Sequence, residues 1–289
     1  MSKTFALDLA GVTVAVEVSE PGWYTDLVRR YAAFLTTRPT SWSARLDWDP
    51  TLTVTDWPTV EHTGDVTQFR VLAYRGRIDL AQRRAVVYAP AADRAASAIE
   101  RVLVYILMQV LPREHNGLLL HGVGVVWRDE GHLFFGPSGI GKTTLARRAR
   151  GHAQVLCDEN VVVLVGAQGP VLYSTPFWGH STPSDLIERV NRQVPLRALY
   201  ALEQTRDFSL QRLSPGPAVV ALALTEKVAA ERTSSAAAWL AVADRLVQQA
   251  PTYRLGVSLQ PGLWEYLHTQ VGHTAAVLDA SLTHAVSRP

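Results

Sequence analysis

The sequence predicts an α/β (α+β) fold, a mixed sheet carrying a phosphate-binding loop and preceded by a β-rich N-terminal module. Three observations lead there. Residues 136–144, Gly-Pro-Ser-Gly-Ile-Gly-Lys-Thr-Thr, match G-x-x-x-x-G-K-[ST] at every required position, between a short apolar run and a helical segment. Residues 3–90 carry short alternating runs separated by turn residues, the pattern of a strand meander. From Asp93 to Leu111 apolar residues recur at helical spacing.

The loop explains its own composition. His132-Leu133-Phe134-Phe135 predicts a buried strand entering it, and Leu145–Arg150 a helix leaving it. Glycines let backbone N–H groups curl around a phosphate, and a helix N-terminus adds partial positive charge. The nucleotide-binding set is therefore Gly136, Ser138, Gly139, Ile140, Gly141, Lys142, Thr143 and Thr144. Lys142 is expected to reach the β- and γ-phosphate oxygens of a nucleotide, and the Thr143 hydroxyl to ligate Mg2+. The alternative is a glycine-rich turn that happens to precede a helix. Lysine usage argues against it: the only lysines are Lys3, Lys142 and Lys227, in a chain otherwise rich in arginine. A phosphate loop needs a thin side chain ending in a point charge, which a planar guanidinium does not supply.

The totals set bounds. A chain of 289 residues suffices for one or two domains with a sizeable core. Apolar residues make up 47% and charged residues 19%, an ordinary globular balance. A net charge of +2 gives no electrostatic case for nucleic acid or a membrane surface. The single cysteine, Cys157, excludes an internal disulfide and suits a reducing compartment. The N-terminus turns polar too early for an export signal, and the most apolar run, Val102–Leu111, is too short to span a bilayer. A cytoplasmic protein is expected.

Taken in order, residues 3–18 predict a β-hairpin around Gly11. Pro21-Gly22 breaks that pattern, and 23–36 predicts an amphipathic helix ended by Pro39. Strands are expected at 43–47, 51–55, 68–74, 77–81 and 84–88, with Tyr74-Arg75-Gly76-Arg77 as a hairpin turn. Asp93 is a candidate cap for the helix to Leu111, whose buried stripe is Ile99, Val102, Leu103, Ile106, Leu107 and Val110. Residues 118–127 form a strand, Arg128–Gly131 a turn, and 132–135 the return, so the loop strand is the second arm of a hairpin. Most nucleotide-binding α/β proteins reach their loop strand otherwise.

Residues 155–163 contain a strand ending in Asp158 and Glu159. A magnesium–phosphate site needs an acid at such a strand end, near the loop threonine. Between Lys142 and Asp158 there is room for one short helix, a turn and one strand, so the acid strand is expected beside the loop strand. The alternative is a pair of exposed turn residues. Beyond it, 182–187 predict a loop entering a short helix, 195–202 and 208–213 strands, about 216–230 and 234–249 helices, 253–259 a strand and 262–270 a last helix. The tail from Thr283 is expected to fray. His180, beside Trp178 and Gly179, is either a substrate contact or an ordinary loop histidine.

His121-Gly122 on a strand, the hairpin into the loop, and Val155-Leu156-Cys157-Asp158-Glu159-Asn160-Val161 together resemble the catalytic core of HPr kinase/phosphorylase. They also resemble the wider HPr-kinase-like set found with peptide-modification operons, including lasso-peptide kinases, whose core is similar to phosphoenolpyruvate carboxykinase. The resemblance is specific over about 118–165 and weaker over 174–180, 195–203 and 251–255. It implies an ATP- and Mg2+-dependent kinase occupying 92–289, behind an N-terminal module of 1–91. It implies Asp158 as the base that accepts the acceptor hydroxyl's proton, and Glu159 as a metal-holding acid beside Asp158 and Thr143. It implies His121 near the transferred phosphate and Arg197 as a neutraliser of its charge; the alternatives are a hydrogen-bonded strand histidine and a plain surface arginine. The implied acceptor is a serine hydroxyl in a peptide or protein, such as a lasso or other ribosomally made peptide, and the family also admits a homo-oligomer. The E-x-R-G-type signature that follows the core in HPr kinase/phosphorylase is not found, so phosphorylation of HPr and the reverse phosphorolysis do not carry over. A kinase for free serine and a non-catalytic nucleotide-binding switch stay open as alternatives.

Overall fold

The computed structural model describes residues 1–179, 189–225, 236–258 and 260–270. His180, the segment 182–187, the end of the helix expected from 216 and the tail lie outside the described residues.

The N-terminal alternation builds a seven-stranded sheet in the order β1-β2-β3-β7-β6-β5-β4. Its strands are β1 (Lys3–Leu9), β2 (Val12–Val18), β3 (Trp42–Trp48), β4 (Thr59–Thr63), β5 (Val66–Val71), β6 (Tyr74–Asp79) and β7 (Arg84–Ala89). β2, β3 and β7 run parallel, and the remaining neighbours antiparallel. Leu7, Leu9, Val14, Val16, Leu46, Ile78 and Val87 line the buried face, and alternate residues face solvent.

Several boundaries differ from expectation, for physical reasons. Helix α1 (Pro21–Arg30) begins at Pro21, because proline at the first helical position lacks only an N–H that has no partner there anyway. It stops short of residue 36 and passes into a 3-10 turn, Ala32–Phe34. Residues 51–55 form no strand, whereas β4 was not expected. The turn between β5 and β6 lies at Leu72-Ala73, with Leu72 at φ 55°, not at Tyr74–Arg77. Gly76 sits inside β6 for another reason: a Cβ there would lie 2.4 Å from the Phe69 ring and 2.8 Å from the Val86 carbonyl oxygen.

Helix α2 (Ala92–Glu114) runs through Pro112 in its last turn. Asp93 lies in its first turn, and Ala91 is the capping position, with no side-chain cap. Long and apolar enough by composition to cross a membrane, α2 is instead largely buried in this fold. It packs on β3, β6 and β7 on one side and on β8 (Gly117–Trp127) on the other. The buried Gln109 is satisfied locally, donating to Thr67 Oγ1 and the Tyr105 carbonyl, both at 3.3 Å.

The second sheet has eight strands and adds β9 (Glu130–Phe135), β10 (Gln154–Cys157), β11 (Asn160–Gly166), β12 (Gly169–Tyr173), β13 (Gln193–Gln204), β14 (Ser209–Arg212) and β15 (Thr252–Val257). β8 and β13 are long enough to take different partners along their length. β8 pairs with β11 over Gly117–His121 and with β9 over Gly122–Trp127. β13 pairs with β12, then with β9 and β15, both parallel to it. The circuit β8–β11–β12–β13–β9 therefore closes on itself around an apolar interior that includes Leu133, Val161, Leu172 and Val194. Helices α3 (Lys142–Arg148), α4 (Pro215–Thr225), α5 (Ala236–Gln249) and α6 (263–270) complete the described chain. The architecture is mixed α/β, two mixed sheets with a β-rich N-terminal module.

Candidate functional site

β9 delivers the chain into the loop, and α3 begins at Lys142. Gly139 and Gly141 have φ of 80° and 110°, a backbone that L side chains rarely adopt, which is why glycines stand there. Ile140 N–H donates to the Pro137 carbonyl at 3.3 Å and closes the turn. Lys142 is buried, and its Nζ donates to the Gly136 carbonyl at 2.7 Å and the Pro137 carbonyl at 3.1 Å. The ammonium is thus held inside the curl of the loop. Ser138 and Thr144 are exposed, and Thr143 is half-buried.

The acids lie in the turn between β10 and β11. Asp158 is 3% exposed, and its Oδ1 accepts the Gly179 N–H at 3.0 Å. The segment before Gly179 is docked on the same turn. Cys157 Sγ donates to the Phe177 carbonyl at 2.6 Å, and Thr175 Oγ1 donates to the Asn160 carbonyl. Burial pushes the Cys157 thiol up to about 12, so it stays a neutral packing residue. Glu159 is half-buried, and its Oε1 lies 3.6 Å from His121 Nδ1.

Strand β8 joins these parts. Gly122 N–H donates to the Glu159 carbonyl at 3.1 Å on one side, and Gly122 pairs with Phe135 on the other. His121, the preceding residue, pairs with Asn160. The loop, His121 and both acids therefore meet at one end of the sheet. The acid strand is not beside the loop strand, contrary to expectation. β10 pairs with β8, so β8 stands between β10 and β9. Two strand spacings, roughly 10 Å, separate the two backbones.

Arg197 is not brought to this end. It lies at the irregularity between Leu196 and Ala198, which pair with Gly131 and His132 at the start of β9, and its Nε is 3.7 Å from Glu130 Oε2. About five strand residues, roughly 16 Å, lie between it and the loop. β13 runs parallel to β9, so a residue early in β13 sits at the end of the sheet opposite the loop, away from the place the resemblance implies for Arg197. The parts missed in the sequence are on the other side of the loop. Gln204, at the end of β13, donates from Nε2 to the Gly139 carbonyl at 3.4 Å. Arg206 follows in the turn before β14, and no motif marks either residue.

Hard oxygen donors suit Mg2+, which keeps several waters and needs few protein ligands. The Thr143 hydroxyl and the Asp158 and Glu159 carboxylates are such donors. Among the described residues no cluster of three or more His, Cys, Asp or Glu side chains forms a dedicated metal cage.

The family model of SynChlorMet cassette protein ScmC matches residues 90–271, more than half of the chain, and the chain belongs to that family. No curated protein matches it. Among solved structures, the Hpr(Ser) kinase/phosphatase from Coxiella burnetii is similar with a TM-score of 0.36 at 13% identity, covering 59% of this chain and 99% of that one.

Proposed function

We propose that this member of the ScmC family is an ATP- and Mg2+-dependent kinase that transfers the γ-phosphoryl group to a serine hydroxyl of a peptide or protein. Residues 92–289 form its kinase unit and 1–91 an accessory module. The observation that carries the reading is the flanking of Gly122 by the Asp158-Glu159 turn on one side and by the loop strand on the other. The loop N–H groups and Lys142 hold the phosphates, with the ammonium exchanging the Gly136 and Pro137 carbonyls for phosphate oxygens. Mg2+, held by Thr143 with Asp158 and Glu159, would neutralise phosphate charge. Asp158, whose Oδ1 accepts the Gly179 N–H, would serve as the base that takes the acceptor hydroxyl's proton. His121, on β8 beside Glu159, would touch the transferred group. Positioning and charge stabilisation supply most of the rate, as in phosphoryl transfer generally.

The test is mass spectrometry of acceptors after incubation with ATP and Mg2+: free serine, HPr, and a precursor peptide encoded nearby. Phosphate added to peptide serine, lost in Lys142→Ala, supports the reading. Addition to free serine alone reassigns the acceptor, and no product on any acceptor counts against transfer.

A further inference from the structure

The N-terminal sheet has a covered face and an open one. α2 packs on β3, β6 and β7 from one side. On the other side five arginines are exposed: Arg45 on β3, Arg84 on β7, Arg75 and Arg77 on β6, and Arg70 on β5. Strand register gathers them into one block. Arg45 and Arg77 flank Val86 on β7, and Arg84 stands two residues before it. Arg75 pairs with Tyr88, two residues after Val86, and its guanidinium carbon lies 4.3 Å from the Tyr88 ring centroid. With strands about 4.8 Å apart and alternate residues about 7 Å apart, the block measures roughly 15 Å each way.

These side chains are not committed to the fold. Arg45 pairs with Asp47 at 2.9 Å, Arg75 with Asp49 at 2.9 Å and Arg77 with Asp79 at 3.4 Å, each with about half of the arginine side chain in solvent. Exposed pairs of this kind contribute little and exchange readily for another carboxylate. The Arg70 and Arg84 side chains make no ion pair or hydrogen bond among the described residues. Arg70 also stands directly opposite Arg75, a like-charge pair that works against strand pairing. Two depressions of about 740 and 430 Å³ open on this face. Arg45, Arg77 and Arg84 border the first, and Arg70, Arg75 and Arg77 the second. Four acids, Glu17, Asp47, Glu61 and Asp79, stand around the block.

We propose that this face docks an extended acidic peptide segment, whose Asp and Glu carboxylates accept forked hydrogen bonds from the guanidinium groups of both depressions. Charge complementarity carries the choice of partner. Arginine clusters recognise acidic motifs because a planar guanidinium meets a carboxylate with two parallel N–H bonds. A nucleic-acid strand fits worse. Its continuous phosphates would cross the surrounding acids, and the ring of Tyr88 is already covered by Arg75, which leaves no platform for a base. The inference stands independently of phosphoryl transfer at the loop.

The experiment is fluorescence anisotropy on the full chain with a short labelled peptide of alternating glutamate and glycine. Its glutamine counterpart and a short oligothymidylate are measured beside it. The glutamate peptide should bind, and more weakly as salt is raised. Arg70→Glu combined with Arg84→Glu should weaken it about tenfold or more, and the milder pair Arg70→Gln with Arg84→Gln about threefold. Arg212→Glu, which reverses an exposed arginine of the second sheet, should stay within about twofold. All of these residues are exposed, so the variants should melt with wild type. A wild-type chain that does not bind the glutamate peptide overturns the inference. So does equal binding of the glutamine peptide, or an equal loss in Arg212→Glu, which would reduce the effect to net charge. Oligothymidylate bound more tightly than the peptide, and lost in the same double variants, would reassign the face to nucleic acid and overturn peptide docking.

Discussion

Gly122→Ala should damage both the fold and the site, and its size follows from one distance. A Cβ at Gly122 would lie 2.6 Å from the Phe134 carbonyl oxygen, whereas ordinary contact begins at 3.4 Å. The misfit of about 0.8 Å meets backbone, which cannot swing aside as a side chain would. β8 must move from β9, or twist, by about that amount. Overpacking of this kind costs about 1–3 kcal/mol, which for a chain of this size lowers Tm by roughly 2–5 °C. The same shift separates the acid turn from the loop, because Gly122 donates to Glu159 on one side and pairs with Phe135 on the other. A misplacement of about 1 Å can cost roughly 100-fold in rate. Thermal unfolding followed by circular dichroism, beside the rate of ATP-dependent phosphorylation, measures both effects. Gly22→Ala is the control, since a Cβ there meets nothing within 4 Å in α1, and it should be neutral or stabilise by up to about 1 kcal/mol. A Gly122→Ala protein that melts within about a degree of wild type and keeps its rate would refute the strand arrangement.

Other consequences can be measured with single substitutions. Burial, and secondarily Arg197, holds His132 at about 4, so it is neutral in the native state while the unfolded chain takes up a proton near 6.5. Its contribution is full above about pH 6.5 and is lost on acidification toward pH 4, about 2 kcal/mol by pH 5. Urea unfolding at pH 7 and pH 5 should show this slope in wild type, reduced in His132→Gln; an identical slope in both would exclude His132 as its source. Cys157, donating to the Phe177 carbonyl, should resist a thiol reagent at pH 8 in the native protein and react once the chain is denatured. Native labelling at the rate of a free thiol would show that residues 174–179 do not dock on the acid turn. Arg197→Ala should leave phosphoryl transfer within about twofold, because the loop is roughly 16 Å away. A loss of tenfold or more would return Arg197 to the site.

Local chemistry made part of this legible in the sequence. The loop fixes its own residues because only that spacing of glycines, lysine and threonine can wrap a phosphate. The hairpin into it and the acids at the end of β10 follow from short apolar runs with turns between them. What sequence could not supply was the partner of each strand. The acid strand follows the loop helix directly, yet it pairs with β8 because that strand offers an open edge beyond Gly122. Arg197 was misplaced for the same reason, since only the parallel pairing of β13 with β9 reveals which end of the strand meets the loop. Gly76 illustrates the limit for turns. A glycine beside arginines suggests a hairpin, but here it makes room for the Phe69 ring across the sheet. Gln204 and Arg206 carry no motif, and only the meeting of three carboxyl strand ends marks them.

The most direct test of the central claim is single-turnover phosphoryl transfer from γ-labelled ATP by Asp158→Asn, with ATP affinity measured on the same preparation. The arrangement predicts nucleotide binding close to wild type and a transfer rate reduced about 10²- to 10⁴-fold, the loss expected when a positioned base is removed. Transfer that continues at the wild-type rate with Asp158→Asn would contradict the assignment of the acid turn as the catalytic partner of the loop.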